Sequence, residues 1–475
     1  MGKPTGFMEI SRKESGYRPI QERIGDYGEV EQTLNEDDRR AQASRCMDCG
    51  IPFCHWACTV CSKIPEWQDA LYKGKYKEAY ELLTSSNSFP EFTGRICPAL
   101  CEKSCVLNIQ NEPVTIRENE VAIIEKAFEL GLVLPRIPHK RTGKKIAVIG
   151  SGPAGLSVAD MANQFGHEVT VYEAEDAIGG LLRYGIPDFK LNKNVIDRRQ
   201  KVMEAEGIKF VVNTKVGIDI KHSDLLKHND VVALAIGAMV PRDLQVEGRN
   251  AQGVHFAMEF LKQQNKKIKG GKFTDEERIL ATGKNVLVIG GGDTGSDCVG
   301  TSIRQKANSV TQIEIMYKPP TKRTNNNPWP YWPEILRTSS SHKEGCTRRW
   351  SLATKRILSE KGKVTGAEVI QVEWNKGADG RMFMKEVPGT LEVINAELIL
   401  LSMGFISPEH NGLLDNLKVE YDPRGNVNTL PKSTQTSNAR IFACGDTKTG
   451  SSLVVRAIAS GRECAQHIDN FLNAD

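Results

Sequence analysis

Cysteine spacing is the feature of this sequence with the most chemical content. Eight of the twelve cysteines fall within sixty residues. The first five follow the spacing C-x2-C-x4-C-x3-C-x2-C, and the last three follow C-x3-C-x3-C. Thiolates this close together bind metal or pair as disulfides. The eight residues are Cys46, Cys49, Cys54, Cys58, Cys61, Cys97, Cys101 and Cys105.

Three interpretations of these cysteines compete. A zinc ribbon would use two C-x-x-C knuckles, and the only such pairs are Cys46/Cys49 and Cys58/Cys61. The ferredoxin run C-x2-C-x2-C-x3-C-P does not occur. A disulfide framework requires an oxidising compartment, whereas the N-terminal segment has no apolar stretch typical of a signal peptide. We therefore expect a cytoplasmic protein whose clustered cysteines are metal ligands.

Composition narrows the class of protein. The 475 residues are 39% apolar and 26% charged, with a formal net charge of +4, which is ordinary for a globular protein of two to four domains. No basic stripe with interleaved aromatic residues predicts nucleic-acid binding. The most apolar run, Val231–Val240, is too short to span a bilayer. We expect neither a nucleic-acid nor a membrane partner.

A first dinucleotide fingerprint follows the apolar strand Ile146–Ile149. The sequence G-S-G-P-A-G then opens a helix, an arrangement that lets a pyrophosphate approach the backbone and the helix N-terminus. The next strand ends in Glu173, which is placed to accept a hydrogen bond from a ribose hydroxyl. The predicted binding residues of this turn are Gly150, Gly152, Pro153, Ala154 and Gly155.

A segment far downstream indicates which dinucleotide the first site binds. The predicted strand in Ala439–Asp446 ends in Gly445 and Asp446, and it resembles the second FAD fingerprint of flavoproteins with two dinucleotide-binding domains. In that superfamily the segment containing Gly180, Leu181 and Arg183 lines the isoalloxazine. The resemblance implies that the first site binds FAD.

A second fingerprint follows the apolar residues Val286–Ile289. The next predicted strand, Ser309–Lys318, contains Glu314 internally and ends at Lys318, with Arg323 shortly after. Basic residues at this strand end suit a 2′-phosphate, whereas an acid there suits the free hydroxyl of NAD. The pattern favours NADPH. The predicted residues of the turn are Gly290, Gly292, Asp293, Thr294 and Gly295.

The order of these elements predicts an α/β protein with a helical N-terminal domain and two Rossmann-like domains, the second inserted into the first. We expect a double [4Fe–4S] domain over residues 1–140, an FAD-binding domain over 141–279 and 406–475, and an NADPH-binding domain over 280–405. Hydride transfer between nicotinamide and flavin requires orientation rather than an acid or base, so no catalytic residue is predicted.

Longer motifs carry a family resemblance. The segments CMDCGIPFCHWAC, FPEFTGRICPALCEKSC, GGLLRYGIPDFKL, VIGGGDTGSDC, NPWPYWP and CGDTKTGSSLVVRAIASGR closely resemble the small (β) subunit of glutamate synthase. The same module occurs in dihydropyrimidine dehydrogenase and in ferredoxin-dependent transhydrogenases. The resemblance covers nearly the whole chain.

The resemblance implies two [4Fe–4S] clusters with crossed ligation. One cluster would be held by Cys46, Cys49, Cys54 and Cys105. The other would be held by Cys58, Cys97, Cys101 and an oxygen ligand that corresponds to Glu120. The sequence departs from the family pattern at Thr59, where proline is usual, and at Cys61, where a small or polar residue is usual. Cys61 is therefore either a spare thiol or an alternative to Glu120.

The resemblance also implies a function. NADPH would reduce FAD, and electrons would pass through the two clusters to a partner, the glutamate synthase large subunit. Gly2 follows Met1, so this chain has no N-terminal cysteine nucleophile of an amidotransferase. Two alternatives stay open. One is a stand-alone NADPH oxidoreductase or transhydrogenase subunit whose partner is ferredoxin or another flavoprotein, and the other is a non-catalytic electron-relay or assembly subunit.

Overall fold

The computed structural model describes residues 2–274, 276–377 and 380–474. The first third of the chain is helical and contains no strand among the residues described. Its helices are α1 Gly6–Glu9, α2 Ile20–Arg23, α3 Glu36–Ser44, α4 Phe53–Ala57, α5 Ile64–Tyr72, α6 Tyr76–Thr84, α7 Pro90–Ile96, α8 Leu100–Ser104 and α9 Ile116–Glu129, with a 3-10 helix at Val106–Gln110.

From residue 145 onward, strands alternate with helices. The strands are β1 Lys145–Ile149, β2 Glu168–Tyr172, β3 Lys209–Val211, β4 Val231–Leu234, β5 Val254–Phe256, β6 Asn285–Ile289, β7 Ser309–Glu314, β8 Thr347–Trp350, β9 Leu352–Glu360, β10 Lys363–Lys376, β11 Met382–Glu386, β12 Glu392–Asn395, β13 Leu398–Leu401 and β14 Ile441–Ala443. The helices are α10 Pro153–Gln164, α11 Leu181–Tyr184, α12 Lys193–Ala205, α13 His222–His228, α14 Ala257–Ile268, α15 Asp293–Arg304, α16 Ser340–Glu344, α17 Leu413–Leu417, α18 Asp446–Thr449 and α19 Val454–Asn473.

The helical domain folds around its own apolar core. Helix α3 begins at an Asn35 cap, whose side chain accepts a hydrogen bond from the backbone N–H of Asp38. Helix α9 buries Ile123 and Ile124 on the face that meets the other helices. The fully buried Trp67 lies in the same apolar cluster as Ile123. This core holds the loops that carry the clustered cysteines.

Two parallel sheets form the rest of the architecture. The first has the strand order β14-β4-β1-β2-β3, and the second has the order β5-β13-β6-β7-β8. Their strands are nearly continuous apolar runs because helices cover both faces of a parallel sheet. Strands β9 to β12 form a separate antiparallel sheet, in which β10 pairs with each of the other three.

The predicted fold class is confirmed. The first sheet is completed by β14, which pairs with β4 after the whole second sheet has intervened in the chain. The predicted domain ranges stay predictions, although β5 and α14 precede residue 280 and β5 already pairs with β13 of the second sheet.

One expectation about the second sheet is wrong. Strand β7 ends at Glu314, so this residue does not lie inside a strand that continues to Lys318. The residues after Glu314 leave the sheet, and Trp374 binds the backbone carbonyl of Ile315 at 2.9 Å. Glu314 is thus a strand-end acid.

A buried ion cluster joins the helical domain to the second parallel sheet. The carboxylate of Glu344 accepts a hydrogen bond from Arg23 at 2.7 Å and another from Arg304 at 2.6 Å. Arg304 also donates to the backbone carbonyl of Asp26 at 2.9 Å. Each oxygen of the buried Glu344 carboxylate has a guanidinium partner, so its charge is compensated. The cluster therefore fixes α15 and α16 against the N-terminal segment.

None of the helices in the three described ranges is both long and apolar enough to cross a membrane.

Candidate cofactor and cluster sites

The clustered cysteines separate into two pockets. The first pocket, called the first thiol pocket here, has Phe53, Ile64 and Ile116 among its apolar lining residues. Helix α4, the loop before it and the turn after α8 supply its thiols. These are Cys46, Cys49, Cys54 and Cys105, the set that the family resemblance implies for one cluster.

The second thiol pocket contains three cysteines and one carboxylate. Cys58, Cys97, Cys101 and Glu120 all line it. Glu120 reaches it from α9, where Thr93 and Asn87 donate hydrogen bonds to its Oε1 atom, the latter at 2.9 Å. Burial raises the pKa of the Glu120 carboxyl to about 7. The structure thus brings the four predicted ligands together.

Cys61 lies apart from both pockets. It is exposed, it takes a φ of 47°, and of the residues described it lines neither thiol pocket. Its backbone N–H binds the carbonyl of Cys58 at 2.8 Å, which turns the chain at the end of this cysteine segment. This placement favours Glu120 over Cys61 as the fourth ligand.

The chemistry of the two pockets fits iron–sulfur clusters. Burial raises the pKa of the Cys46 and Cys97 thiols to about 12, so each binds a proton unless a metal replaces it. In the part of the chain described, no three His, Cys, Asp or Glu side chains converge on a point suited to one metal ion. Ligands of a four-iron cluster need not converge, because each binds a different iron atom.

A large cavity of about 1160 Å³ lies against the first sheet. This exceeds the roughly 300–1,000 Å³ of common ligand pockets. Five predicted FAD residues from the first turn and the strand end line it, and Gly180, Leu181 and Asp446 line it from other segments. The five are Gly150, Gly152, Pro153, Ala154 and Glu173.

The turn after β1 leaves room for a pyrophosphate. Gly150 has a φ of 98°, and a side chain there would place its Cβ 2.4 Å from the backbone oxygen of Ala235. Beside Gly152 there is open space, with no heavy atom within 4 Å of an added Cβ among the atoms described. Helix α10 begins here without a side-chain cap, so its first N–H groups are available to phosphate oxygens.

The remaining predicted FAD residues take different positions. Gly445 packs against α10, where an added Cβ would lie 2.6 Å from the Ala154 side chain. Gly155 packs against the turn, with an added Cβ 2.0 Å from the Gly150 oxygen. Arg183 is not among the described residues that line the cavity. Its guanidinium binds Asp197 at 2.5 Å and the carbonyl of Ile178, so its contact with flavin stays a prediction.

The second fingerprint repeats the first on the other sheet. Gly290 has a φ of 120°, and an added Cβ would lie 2.3 Å from the Ser402 oxygen. Open space surrounds Gly292 as it surrounds Gly152, within the part of the chain that is described. Thr294 and Gly295 form the first turn of α15, which also lacks a side-chain cap. Asp293 opens that helix and faces the large cavity.

The basic residues predicted to bind a 2′-phosphate lie farther along the chain. The Lys318 ammonium sits 5.2 Å from the centre of the Trp350 ring. Arg323 donates hydrogen bonds to the backbone carbonyls of Tyr331 at 2.7 Å and Lys103 at 3.2 Å. Arg323 therefore links the segment that contains Tyr331 to Lys103 of the helical domain. A phosphate contact for either residue stays a prediction.

One ion pair at the junction of the two sheets has no signal in the sequence. Lys190 and Asp297 form it, and both side chains line the large cavity. Lys190 follows the predicted flavin-lining segment, and Asp297 lies one turn inside α15 beyond Asp293. No spacing in the sequence links these two residues, because the contact arises only when the two parallel sheets pack together.

The large cavity and the two thiol pockets adjoin one another. Cys97 lines both the large cavity and the second thiol pocket. Ile64 and Ile116 line both thiol pockets. The second thiol pocket therefore lies between the other two sites.

The comparisons with known families match this layout. Residues 23–132 match the family described as Dihydroprymidine dehydrogenase domain II, 4Fe-4S cluster. Residues 144–461 match the family Pyridine nucleotide-disulphide oxidoreductase. The solved structure of Mycobacterium tuberculosis FprA in complex with NADPH superposes with a TM-score of 0.56 at 17% identity, over 70% of this chain and 85% of that one. This last match shows the fold alone. The class is thus an iron–sulfur, pyridine-nucleotide-dependent oxidoreductase.

Full-length relatives narrow the class. The chain is 44% identical to the Glutamate synthase [NADPH] small chain of Bacillus subtilis over 99% of both proteins. It is 46% identical to that of Mycobacterium tuberculosis, over 99% of this chain and 96% of the relative. It is 44% identical to the Glutamate synthase [NADH] of Schizosaccharomyces pombe, where it spans 23% of the relative. The chain belongs to the glutamate synthase small-chain family.

Family membership confirms the resemblance to the glutamate synthase small subunit and the predicted class of enzyme. The predicted cofactor set of FAD, NADPH and [4Fe–4S] clusters is confirmed as the set of this family. The assignment of individual residues to each cofactor stays a prediction.

Proposed function

We propose that this chain oxidises NADPH and delivers the electrons, through bound FAD and two [4Fe–4S] clusters, to the large subunit of a glutamate synthase. In this proposal the electrons serve glutamate formation from glutamine and 2-oxoglutarate on the partner. The support comes from the family membership and from the relatives that are named as small chains.

The observation that carries the proposal is the position of Cys97. Its side chain lines the large cavity on one side and the second thiol pocket on the other. Bound to iron, the Cys97 thiolate would connect the wall of the flavin cavity directly to a cluster. We therefore assign Cys58, Cys97, Cys101 and Glu120 to the cluster that receives electrons first.

The first thiol pocket then provides the exit. It shares Ile64 and Ile116 with the second pocket, and its cysteine segment includes the exposed side chains Ile51 (77% exposed) and Trp56 (61%). An exit cluster must approach its acceptor closely, so its cover has to be accessible. Cys46, Cys49, Cys54 and Cys105 are the proposed ligands of this exit cluster.

Orientation of the nicotinamide is assigned to the junction between the two sheets. Asp293 and Asp297 of α15 line the same cavity as Gly180 and Leu181 of the flavin-lining segment. A dinucleotide anchored at the start of α15 would thus have its far end directed toward the flavin. The chain supplies position and exclusion of water, while hydride and electron transfer are the chemistry of the cofactors.

Cytoplasmic location is part of the proposal. All twelve cysteines are unpaired in the described structure, including the exposed Cys61. An oxidising compartment would favour their pairing, whereas a reducing one preserves them as ligands.

Anaerobic titration of the purified, cofactor-loaded chain with NADPH tests the proposal. NADPH should bleach the flavin absorbance and then produce the electron paramagnetic resonance signals of reduced clusters. Failure of NADPH to bleach the flavin, with dithionite still able to do so, would refute it. Co-purification from the native source tests the partner: a large chain that makes glutamate supports the proposal, and a ferredoxin or second flavoprotein in its place contradicts the assigned acceptor.

A further inference from the structure

The carboxylate of Glu314 is held at the end of β7 by two backbone groups. Its Oε2 atom accepts a hydrogen bond from the N–H of Gly291 at 2.7 Å. Its Oε1 atom accepts one from the N–H of Met316 at 3.1 Å. Gly291 is the second residue of the glycine-rich turn, so Glu314 lies directly beside the proposed nucleotide-binding loop.

The FAD-binding sheet contains the same arrangement. Oε2 of Glu173 accepts a hydrogen bond from the N–H of Ser151 at 3.1 Å, and Oε1 accepts one from the N–H of Glu175 at 2.9 Å. Ser151 is likewise the second residue of its turn, and Glu175 likewise lies two residues beyond the acid. Glu314 is therefore the counterpart of Glu173 in the second sheet.

Strand register supports this equivalence independently of the hydrogen bonds. In the first sheet, Ile149 pairs with Tyr172, the residue before Glu173. In the second sheet, Ile289 pairs with Ile313, the residue before the acid. In both sheets, the last strand residue before the glycine-rich turn pairs with the residue that immediately precedes the acid. In this position an acid accepts hydrogen bonds from the adenosine ribose.

The surface beside Glu314 suits the rest of an adenosine. The three residues that follow it, Ile315, Met316 and Tyr317, are 40%, 41% and 54% exposed. Three consecutive exposed apolar side chains at the rim of a glycine-rich turn provide an apolar surface for a purine ring.

Two nearby cations are directed at the ring of Trp350, the residue of β8 that pairs with Glu314. Lys318 and Arg348 lie 5.2 and 5.0 Å from the centre of the Trp350 ring. Arg348 also donates to the backbone carbonyl of Arg337 at 3.1 Å. A 2′-phosphate bound here would bring two negative charges toward the Glu314 carboxylate, and like charges at short range disfavour binding.

We propose that Glu314 accepts the ribose hydroxyl of the bound nicotinamide dinucleotide and is the specificity-determining residue of this site, so that the chain accepts NADH alongside NADPH. This inference rests on the proposed function, in which a nicotinamide nucleotide reduces FAD. Glu314 binds the hydroxyl of NADH and weakens the binding of the 2′-phosphate of NADPH.

Binding of adenosine fragments to the holoenzyme tests Glu314 without electron transfer. Isothermal titration calorimetry with 5′-AMP and with 2′,5′-ADP gives the ratio of their dissociation constants. Glu314→Gln should shift this ratio toward 2′,5′-ADP by about tenfold or more, and Glu314→Ser should shift it in the same direction. Glu397→Gln is the matched control, because Glu397 also accepts a backbone N–H, that of Asn285 at 2.7 Å, but at the opposite end of the same sheet. The control should leave the ratio unchanged.

Stopped-flow reduction of FAD by each nucleotide gives the second readout. Wild type should be reduced by both NADH and NADPH, and Glu314→Gln should raise kcat/KM for NADPH relative to NADH by about tenfold or more. If the ratio of dissociation constants is unchanged in both Glu314→Gln and Glu314→Ser, and flavin reduction is intact, the assignment of Glu314 is overturned and the proposed function stands. A shifted fragment ratio in a protein whose flavin neither nucleotide reduces supports Glu314 and refutes the proposed function.

Discussion

The Nε atom of Arg199 lies 2.5 Å from the Oε1 atom of Glu91, and both side chains are buried. Arg199 belongs to α12 beside the FAD-binding sheet, and Glu91 belongs to α7 of the helical domain. Arg199 also lies over the Phe128 ring, 5.4 Å from its centre. The pair links α12 of the FAD-binding sheet to α7 of the helical domain.

Removing one partner of this pair should destabilise the protein strongly. Arg199→Met leaves the Glu91 carboxylate buried without its cation, and such a loss costs about 3–5 kcal/mol. Urea unfolding of the holoenzyme, followed by tryptophan fluorescence, measures the change. Arg356→Gln is the control, because Arg356 pairs with Glu368 on the surface, where an ion pair contributes little to stability. Equal effects of the two substitutions would contradict the assigned role.

Iron content distinguishes Glu120 from Cys61. Glu120→Ala removes the proposed oxygen ligand, so iron should fall from about eight to about four atoms per chain, the amount of one [4Fe–4S] cluster. Cys61→Ser should retain all of it, because Cys61 is exposed and lines neither pocket in the described structure. Iron and acid-labile sulfide analyses of anaerobically purified protein provide the measurement. Loss of iron in Cys61→Ser with full iron in Glu120→Ala would reverse the assignment.

Two glycine substitutions should separate the two nucleotide sites. Gly152→Ala and Gly292→Ala each add a Cβ into space that is open in the described structure, so both variants should fold. The added methyl occupies room that the pyrophosphate needs. We expect Gly152→Ala to lower the FAD content at least tenfold at limiting FAD. Gly292→Ala should retain FAD but raise the concentration of NADPH needed to bleach it at least tenfold.

Each of these variants is the control for the other. Flavin absorbance of the purified protein and anaerobic NADPH titration provide the two measurements. Dithionite should still reduce the flavin of Gly292→Ala. If Gly292→Ala lost FAD while Gly152→Ala retained it, the assignment of the two sheets would be exchanged.

Because of His342, the free energy of unfolding should decrease as the pH falls. Burial, followed by the charges of Arg348 and Lys190, lowers its pKa to about 4. The neutral ring accepts a hydrogen bond from the Ser339 N–H at 3.2 Å, which a proton on the same nitrogen would break. The unfolded state takes up its proton near the ordinary pKa of about 6.5. The contribution of His342 is therefore full above about pH 6.5 and is lost as the pH falls through about 4.

The comparison with His342→Gln isolates this contribution. Free energies of unfolding measured from pH 7.5 to 4 should show wild type losing stability more steeply than the variant below about pH 6.5. Above that pH the difference between the two proteins should be constant. His139→Gln, at an exposed position, should follow wild type throughout. A wild-type curve parallel to that of His342→Gln would contradict the assignment.

The elements that sequence patterns predicted are those with local causes. Both glycine-rich turns and the apolar strands before them have signals within a short stretch of chain. The end of β7 had no such signal, because Ile315 and Tyr317 continue the apolar pattern of the strand although both are exposed. Only the packing of the sheet shows that the strand stops at Glu314.

Contacts between segments that are distant in the chain could not be predicted from local sequence patterns. The division of eight cysteines into two groups, and the choice of Glu120, came from family resemblance rather than from spacing. The donors to Glu120, Thr93 and Asn87, lie 27 and 33 residues away along the chain. Their amide and hydroxyl groups reach Glu120, the predicted ligand, only when the segment that includes α7 packs against α9.

The placement of β14 has a consequence for biosynthesis. Strand β4, at Val231–Leu234, has one edge that stays unpaired until Ile441–Ala443 has been synthesised. The second parallel sheet lies between them in the chain, so it can fold on the ribosome while the first sheet still lacks its last strand. Asp446, a predicted FAD-binding residue that lines the large cavity, also follows β14. Flavin insertion should therefore be a late event, and ribosome-bound chains stalled before residue 441 should be the stage most exposed to aggregation.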